Sequence, residues 1–175
     1  MRQNRPYQSP YAAMLWSLVL PGFGQLYNKD YVIGFVLLVL EFLVNLKSDL
    51  NITLLYSFMG NLQASHQSVD YGWGLFYPSI YGFAIWQAFN SAKASNRRAA
   101  GKEAEQRTYL TGFAIGLTIG MDFGLFWHDQ SWIKMSIMLD FPVFNGLTFG
   151  LLFGAIGHLL EKKLYRKNKK RTGVS

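Results

Sequence analysis

An all-α polytopic membrane protein is the architecture that three features of this sequence predict. Half of the 175 residues are apolar and 17% are aromatic, whereas the 15% that are charged lie mostly outside the apolar runs. The stretches 31–46, 72–92, 109–127 and 141–160 are apolar, and the last three reach the roughly 17–25 residues that a helix needs to cross a bilayer. Lysine and arginine gather in segments that alternate with these stretches, as they do where positive charge sets topology. The chain therefore reads as one integral membrane domain, 1–175, with its core built in lipid.

The first element, 11–46, is a broken hairpin organised around SLVLPGFGQLYNKDY at 17–31. Pro21 removes a backbone donor, and Gly22 and Gly24 permit backbone angles that other residues avoid. Gln25 and Asn28 carry amides able to bond the carbonyls so freed, as a break inside hydrocarbon requires. The runs on either side, 11–27 and 31–46, are each short for a span. They read as a re-entrant or interfacial half-helix followed by the first of four transmembrane helices. The alternative is five full spans with the N-terminus outside, which puts Arg2 and Arg5 on the wrong face. A signal peptide is rejected because no small-residue cleavage site follows the run 11–20.

Charge orients the rest. Lys93, Arg97, Arg98, Lys102 and Arg107 place the segment after 72–92 inside, and Lys162, Lys163, Arg166, Lys167, Lys169, Lys170 and Arg171 place the tail 161–175 there. The segments 47–71 and 128–140 carry only Lys47 and Lys134 and face outside. With Arg2, Arg5 and Lys29 inside, 15 of the 17 basic residues are cytoplasmic. Aromatic residues agree: Tyr71, Trp73, Trp127 and Trp132 mark the outer interface, and Tyr27, Tyr31, Tyr109 and Tyr165 the inner one. The outer stretch 50–62 is too short to span and is expected to lie along the interface.

In 109–127, Gly112, Gly116, Gly120 and Gly124 recur at every fourth residue, and Gly146, Gly150 and Gly154 repeat the pattern in 141–160. Such a stripe lets another helix approach to backbone contact, which lipid-embedded helices need because no hydrophobic drive joins them. The two spans are consecutive and antiparallel, so the ladders are expected to face each other; the alternative is a homo-oligomer contact through one of them.

Two carboxylates, Glu41 and Asp122, fall inside apolar runs at similar depth, about 15 and 20 Å from the inner face at 1.5 Å per residue. Intramembrane acids are costly, which makes the two a candidate ion or proton site; the other reading is that each bonds a local hydroxyl, amide or carbonyl. On a helical wheel Asp122 points about 140° from the glycine stripe, toward another helix or lipid. Gln87, Asn90 and Asn145 read as interhelical hydrogen-bonding residues. His158 and Glu161 share a helix face, but two ligands seldom make a metal site, so no metal is assigned.

Much is excluded. The absence of cysteine removes disulfides, thiolate metal sites and cysteine nucleophiles. No nucleotide loop, metalloprotease helix or nucleophile elbow occurs, so no catalytic residue or cofactor is assigned and the chain is not read as an enzyme. The net charge of +7 is topogenic and draws anionic lipids to the tail; nucleic acid is not a predicted partner.

The run LPGFGQLYNKDYVIGF resembles a motif of small bacterial membrane proteins, Pro-Gly-x-Gly-Gln-x-Tyr-Asn followed by a basic residue, an aromatic residue and a glycine. Here these are Pro21, Gly22, Gly24, Gln25, Tyr27, Asn28, Lys29, Tyr31 and Gly34. It is similar to the two-transmembrane-helix domain superfamily and to the opening segment of some carbohydrate importer permeases. IWQAFNSAKASNR resembles a segment of these proteins that often ends Asp-Ala-Tyr, with Gln87, Ala88 and Phe89 in that place. The resemblance covers 11–98 and implies residence in the bacterial cytoplasmic membrane. The Glu-Ala-Ala motif with which importers dock their ATPase is absent. The expected function is a non-enzymatic scaffold or accessory subunit of an envelope or transport assembly, binding a membrane partner or copies of itself. The rival is a small transporter or channel using Glu41 and Asp122.

Overall fold

The computed structural model describes residues 7–103, 108–127 and 137–172, and all regular structure among them is helical. Arg2, Arg5, Arg107, Trp132 and Lys134, to which the sequence assigns topological roles, lie outside the described residues. Two compact units form: Met1–Leu43 with Ser79–Tyr109, and Val44–Pro78 with Leu110–Ser175.

In the first unit, Ser9 caps α1 (Pro10–Val19) by accepting from the Ala12 amide at 3.3 Å, and Pro10 occupies a first-turn position that needs no donor. The helix stops at Leu20, ahead of Pro21. Gly22, at φ 107°, then turns the chain into α2 (Phe23–Tyr27) through a conformation closed to side chains with a Cβ. After Lys29 and Asp30, α3 (Tyr31–Ser48) begins; it runs on into the second unit.

The second unit continues through Asp49, a left-handed residue that joins α3 to α4 (Leu50–Phe58), so the outer stretch expected along the interface is helical. A helical hairpin follows with α5 (Leu62–Ser68). Small hydroxyl residues hold it: Thr53 Oγ1 lies 2.8 Å from Ser68 Oγ, and Ser57 Oγ lies 2.9 Å from Ser65 Oγ. After α6 (Tyr71–Gly74), α7 (Phe76–Ala99) starts anew and passes into the first unit. The expected uninterrupted span over 72–92 is therefore broken at Leu75. The reason is Pro78, which fits the first turn of a helix but would cost about 3 kcal/mol in its interior.

The second unit closes with α8 (Thr111–Phe126), a short 3₁₀ turn (Ile137–Asp140) and α9 (Pro142–Thr172). Leu50, Val69 and Leu125 form its buried apolar cluster, flanked by Tyr71, Tyr77 and Val143. Among the described residues, two helices are long and apolar enough to cross a membrane, Tyr31–Ser48 and Pro142–Asn168. The helix expected over 109–127 has 16 residues, and α1 has 10; both are apolar but shorter. In α7, Gln87, Asn90, Ser91, Lys93, Ser95, Asn96, Arg97 and Arg98 make the second half polar.

Candidate functional site

The Pro21–Asn28 motif exists to dock α2. Gly24 sits where α1, α2 and α7 converge: a Cβ there would overlap the Ala13 carbonyl and Ser17 Oγ and come within 2.9 Å of the Ala88 methyl. Ala13, Ala88 and Ala92 form the surrounding cluster, small residues that let the helices close. Pro21 is fully buried. Gly22 and Gly34 make the same kind of approach between α2 and α3, since a Cβ on Gly34 would lie 2.8 Å from Leu26 Cδ2 and 3.1 Å from the Gly22 carbonyl.

Gln25 has no exposed surface, and its amide is fully engaged. Nε2 donates to the Ala84 carbonyl at 2.8 Å and to Gln87 Oε1 at 2.9 Å, while Oε1 accepts from Ser17 Oγ at 3.3 Å. Asn28 Nδ2 donates to the Ala88 carbonyl at 2.7 Å. Gln25 and Asn28 thus reach one turn of α7, at Ala84 and Ala88, rather than the carbonyls released by Pro21 as the sequence suggested. In the turn after α1, the Leu20 carbonyl accepts from Phe23 N at 3.0 Å.

From Gln87 the network runs to Asp30, whose Oδ2 accepts from Gln87 Nε2 at 3.4 Å and, over a short bond, from Ser91 Oγ. Asp30 was not singled out in the sequence, though it brings a carboxylate to this turn of α7. Tyr27 ties in the N-terminal residues: its hydroxyl accepts from Ser9 N at 3.1 Å and its carbonyl from Gln8 Nε2 at 3.4 Å. One turn past Gln87 on α7, Asn90 exchanges two 2.8 Å bonds with the Tyr109 backbone.

In the second unit α8 and α9 form the most extensive helix contact among the described residues. The glycine ladders meet, with an offset of one residue. Added Cβ atoms on Gly112, Gly116, Gly120 and Gly124 would overlap the backbone carbonyls of Gly157, Phe153, Phe149 and Asn145, the row beside the Gly146, Gly150 and Gly154 ladder. That second ladder receives side chains instead: Leu125 at Gly146, Met121 and Leu117 at Gly150, Phe113 at Gly154. Ridge lies in groove on both helices. Gly157, three residues past Gly154 and so off the period of four, faces Gly112 and was missed in the sequence.

Two side chains lock the ends. Asn145, fully buried, donates from Nδ2 to the Gly124 carbonyl at 2.7 Å. Glu161 Oε2 accepts from Gly112 N at 3.0 Å, serving the N-terminus of α8, where Leu110 provides no side-chain cap. The carboxylate also meets the positive end of the helix dipole. Glu161→Gln is expected to lower thermal stability in detergent by about 0.3–1 kcal/mol, and Glu161→Ala by about 1–2 kcal/mol, as measured by thermal unfolding.

Glu41 is buried on α3 in the first unit; Asp122 is on α8 in the second, partly buried, with Oδ1 enclosed and without a hydrogen bond. Among the described residues no group of three or more His, Asp or Glu side chains is placed to hold a metal. What both units share is polar side chains directed at backbone carbonyls and amides of a neighbouring helix. No protein-family model, curated protein or solved structure matches this chain.

Proposed function

We propose that this chain is a multi-pass protein of the bacterial cytoplasmic membrane, with the C-terminus cytoplasmic, that acts as a non-enzymatic scaffold or accessory subunit of an envelope or transport assembly. The observation that carries the reading is where the polar groups go. Gln25, Asn28, Gln87 and Asp30 join three helices in one unit, and Asn145 and Glu161 join two in the other. These are the bonds of a packed helical body rather than of a reaction centre.

Exposed apolar residues support membrane residence: Val32, Phe35 and Phe42 on α3 and Leu151, Ile156 and Leu159 on α9 are all more than half exposed. Water would disfavour such surfaces, whereas lipid does not. The 10 residues of α1 extend about 15 Å, half of a hydrocarbon core of about 30 Å, which supports a half-helix that enters and leaves on one side. The basic residues then lie mostly on the cytoplasmic face.

The natural sequence has no cysteine, so single substitutions report topology without background. Met59→Cys is expected to react with an impermeant maleimide in intact cells, and Lys102→Cys only after permeabilisation; the reverse pattern would invert the topology. Purification from native membranes by a C-terminal tag in mild detergent is expected to bring a stoichiometric partner protein. Recovery of the chain alone, with no partner identified by mass spectrometry, would count against an accessory role.

A further inference from the structure

A groove runs beside the α8–α9 contact and is used by neither helix packing nor the N-terminal network. It is an open groove of about 600 Å³, with Ile115, Ile119, Ile156 and Leu160 as walls and Gly112 and Gly116 in its floor. All four walls are more than half exposed. Thr111 and Glu161 stand at one end, and just beyond it α9 carries Lys162, Lys163, Arg166 and Lys167. Lys167 follows Leu164 by three residues on the groove side of the helix, and Lys163 flanks it.

We propose that this groove holds an acyl chain of an anionic phospholipid whose headgroup phosphate meets Lys163 and Lys167, an inference that rests on the membrane residence proposed above. The lining is hydrocarbon, so the occupant is hydrocarbon. Ile115, Ile119, Ile156 and Leu160 offer branched aliphatic side chains and no polar group with which another helix could bond, a surface suited to a flexible hydrocarbon chain. The floor glycines are also already in backbone contact with α9, which leaves no small-residue face for another helix.

The charge at the open end selects the headgroup. Among the residues lining the groove the one carboxylate is Glu161, whose Oε2 is held by the Gly112 amide, while Lys162, Lys163, Arg166 and Lys167 follow it on the same helix. Basic residues next to a membrane attract anionic headgroups, and lysine is a point-charge partner for phosphate. The groove adds what a basic tail alone lacks, a fixed seat for the chain below the phosphate.

The test uses the full chain in vesicles of phosphatidylcholine and phosphatidylglycerol in equal parts. A bimane label is placed on Ile156→Cys in the groove or on Leu159→Cys, which is exposed outside it at similar depth. Acyl-brominated lipid quenches the label on contact. Brominated phosphatidylglycerol is expected to quench the Ile156 label roughly threefold to tenfold more effectively than brominated phosphatidylcholine, with the preference lost in K163Q/K167Q.

Equal quenching by the two lipids at Ile156 overturns the proposal. So does an equal preference at Leu159, which would be general attraction to the basic tail. Shielding from both lipids at Ile156 alone would mean that protein fills the groove, and a disulfide dimer through unlabelled Ile156→Cys would identify it as a second copy; both results also refute a lipid site. Shielding from both lipids at both positions would instead reject membrane residence itself.

Discussion

Leucine at Gly116 is expected to leave no stably folded protein, while alanine at Gly146 costs little. A Cβ on Gly116 would meet the carbonyl of Phe153, with the carbonyl carbon at 2.7 Å and Gly154 N at 3.0 Å. These are backbone atoms of a rigid helix and cannot rotate away. A Cβ on Gly146 would meet Leu125 Cγ and the Met121 carbonyl at 3.3 Å, a gap that a few tenths of an ångström relieves. Gly116→Ala is expected to cost about 1–3 kcal/mol and Gly116→Leu more, against total stabilities of about 5–15 kcal/mol; Gly146→Ala should stay within about 1 kcal/mol.

Thermal unfolding of the detergent-solubilised variants measures the difference. Comparable losses at Gly116 and Gly146 would mean that the two glycine rows are not offset as described. The same experiment separates a contact within one chain from one between copies. A seam within one chain unfolds at a temperature independent of protein concentration, whereas a homo-oligomer contact makes that temperature rise with concentration. Phe123 packs against Phe149 and Phe153 beside the seam, with ring centroids 5.1 and 5.7 Å away. Loss of the glycine contact would separate these rings too, and each such pair adds about 0.5–1.5 kcal/mol.

The ladders were legible because spacing by four is a property of one helix. Their offset was not, because a wheel gives the face of a helix and not how its partner's rows interleave with it. Gly157 escaped for that reason: it completes the row Asn145, Phe149, Phe153, which has no small-residue signature. In the first unit, Pro21 and Gly22 act on their own backbone and so announced the break. The carbonyls of Ala84 and Ala88 that receive the amides of Gln25 and Asn28 leave no mark in a sequence, since every residue has a carbonyl. Asp30 was hidden by its position among the polar residues of a turn. The start of α7 could have been read from Pro78, but an apolar run on both sides of it argued for one long helix.

Gln25→Leu tests whether the N-terminal hairpin is held as described. Leucine fills the space but strands the Ser17 hydroxyl and Gln87 Oε1, each of which is otherwise paired with Gln25. A buried unpaired group costs about 1–3 kcal/mol, so the expected loss is about 2–4 kcal/mol by thermal unfolding. Gln87→Leu should cost less, because Gln25 Nε2 keeps the Ala84 carbonyl and Asp30 keeps Ser91. The double substitution removes both ends of one bond and should be less damaging than the sum of the single changes by about 0.5–3 kcal/mol. Strict additivity would show that the two side chains do not interact. Coupling, together with loss of the copurifying partner in Gln25→Leu but not in Gln87→Leu, would make the ordered hairpin itself the surface on which that partner assembles.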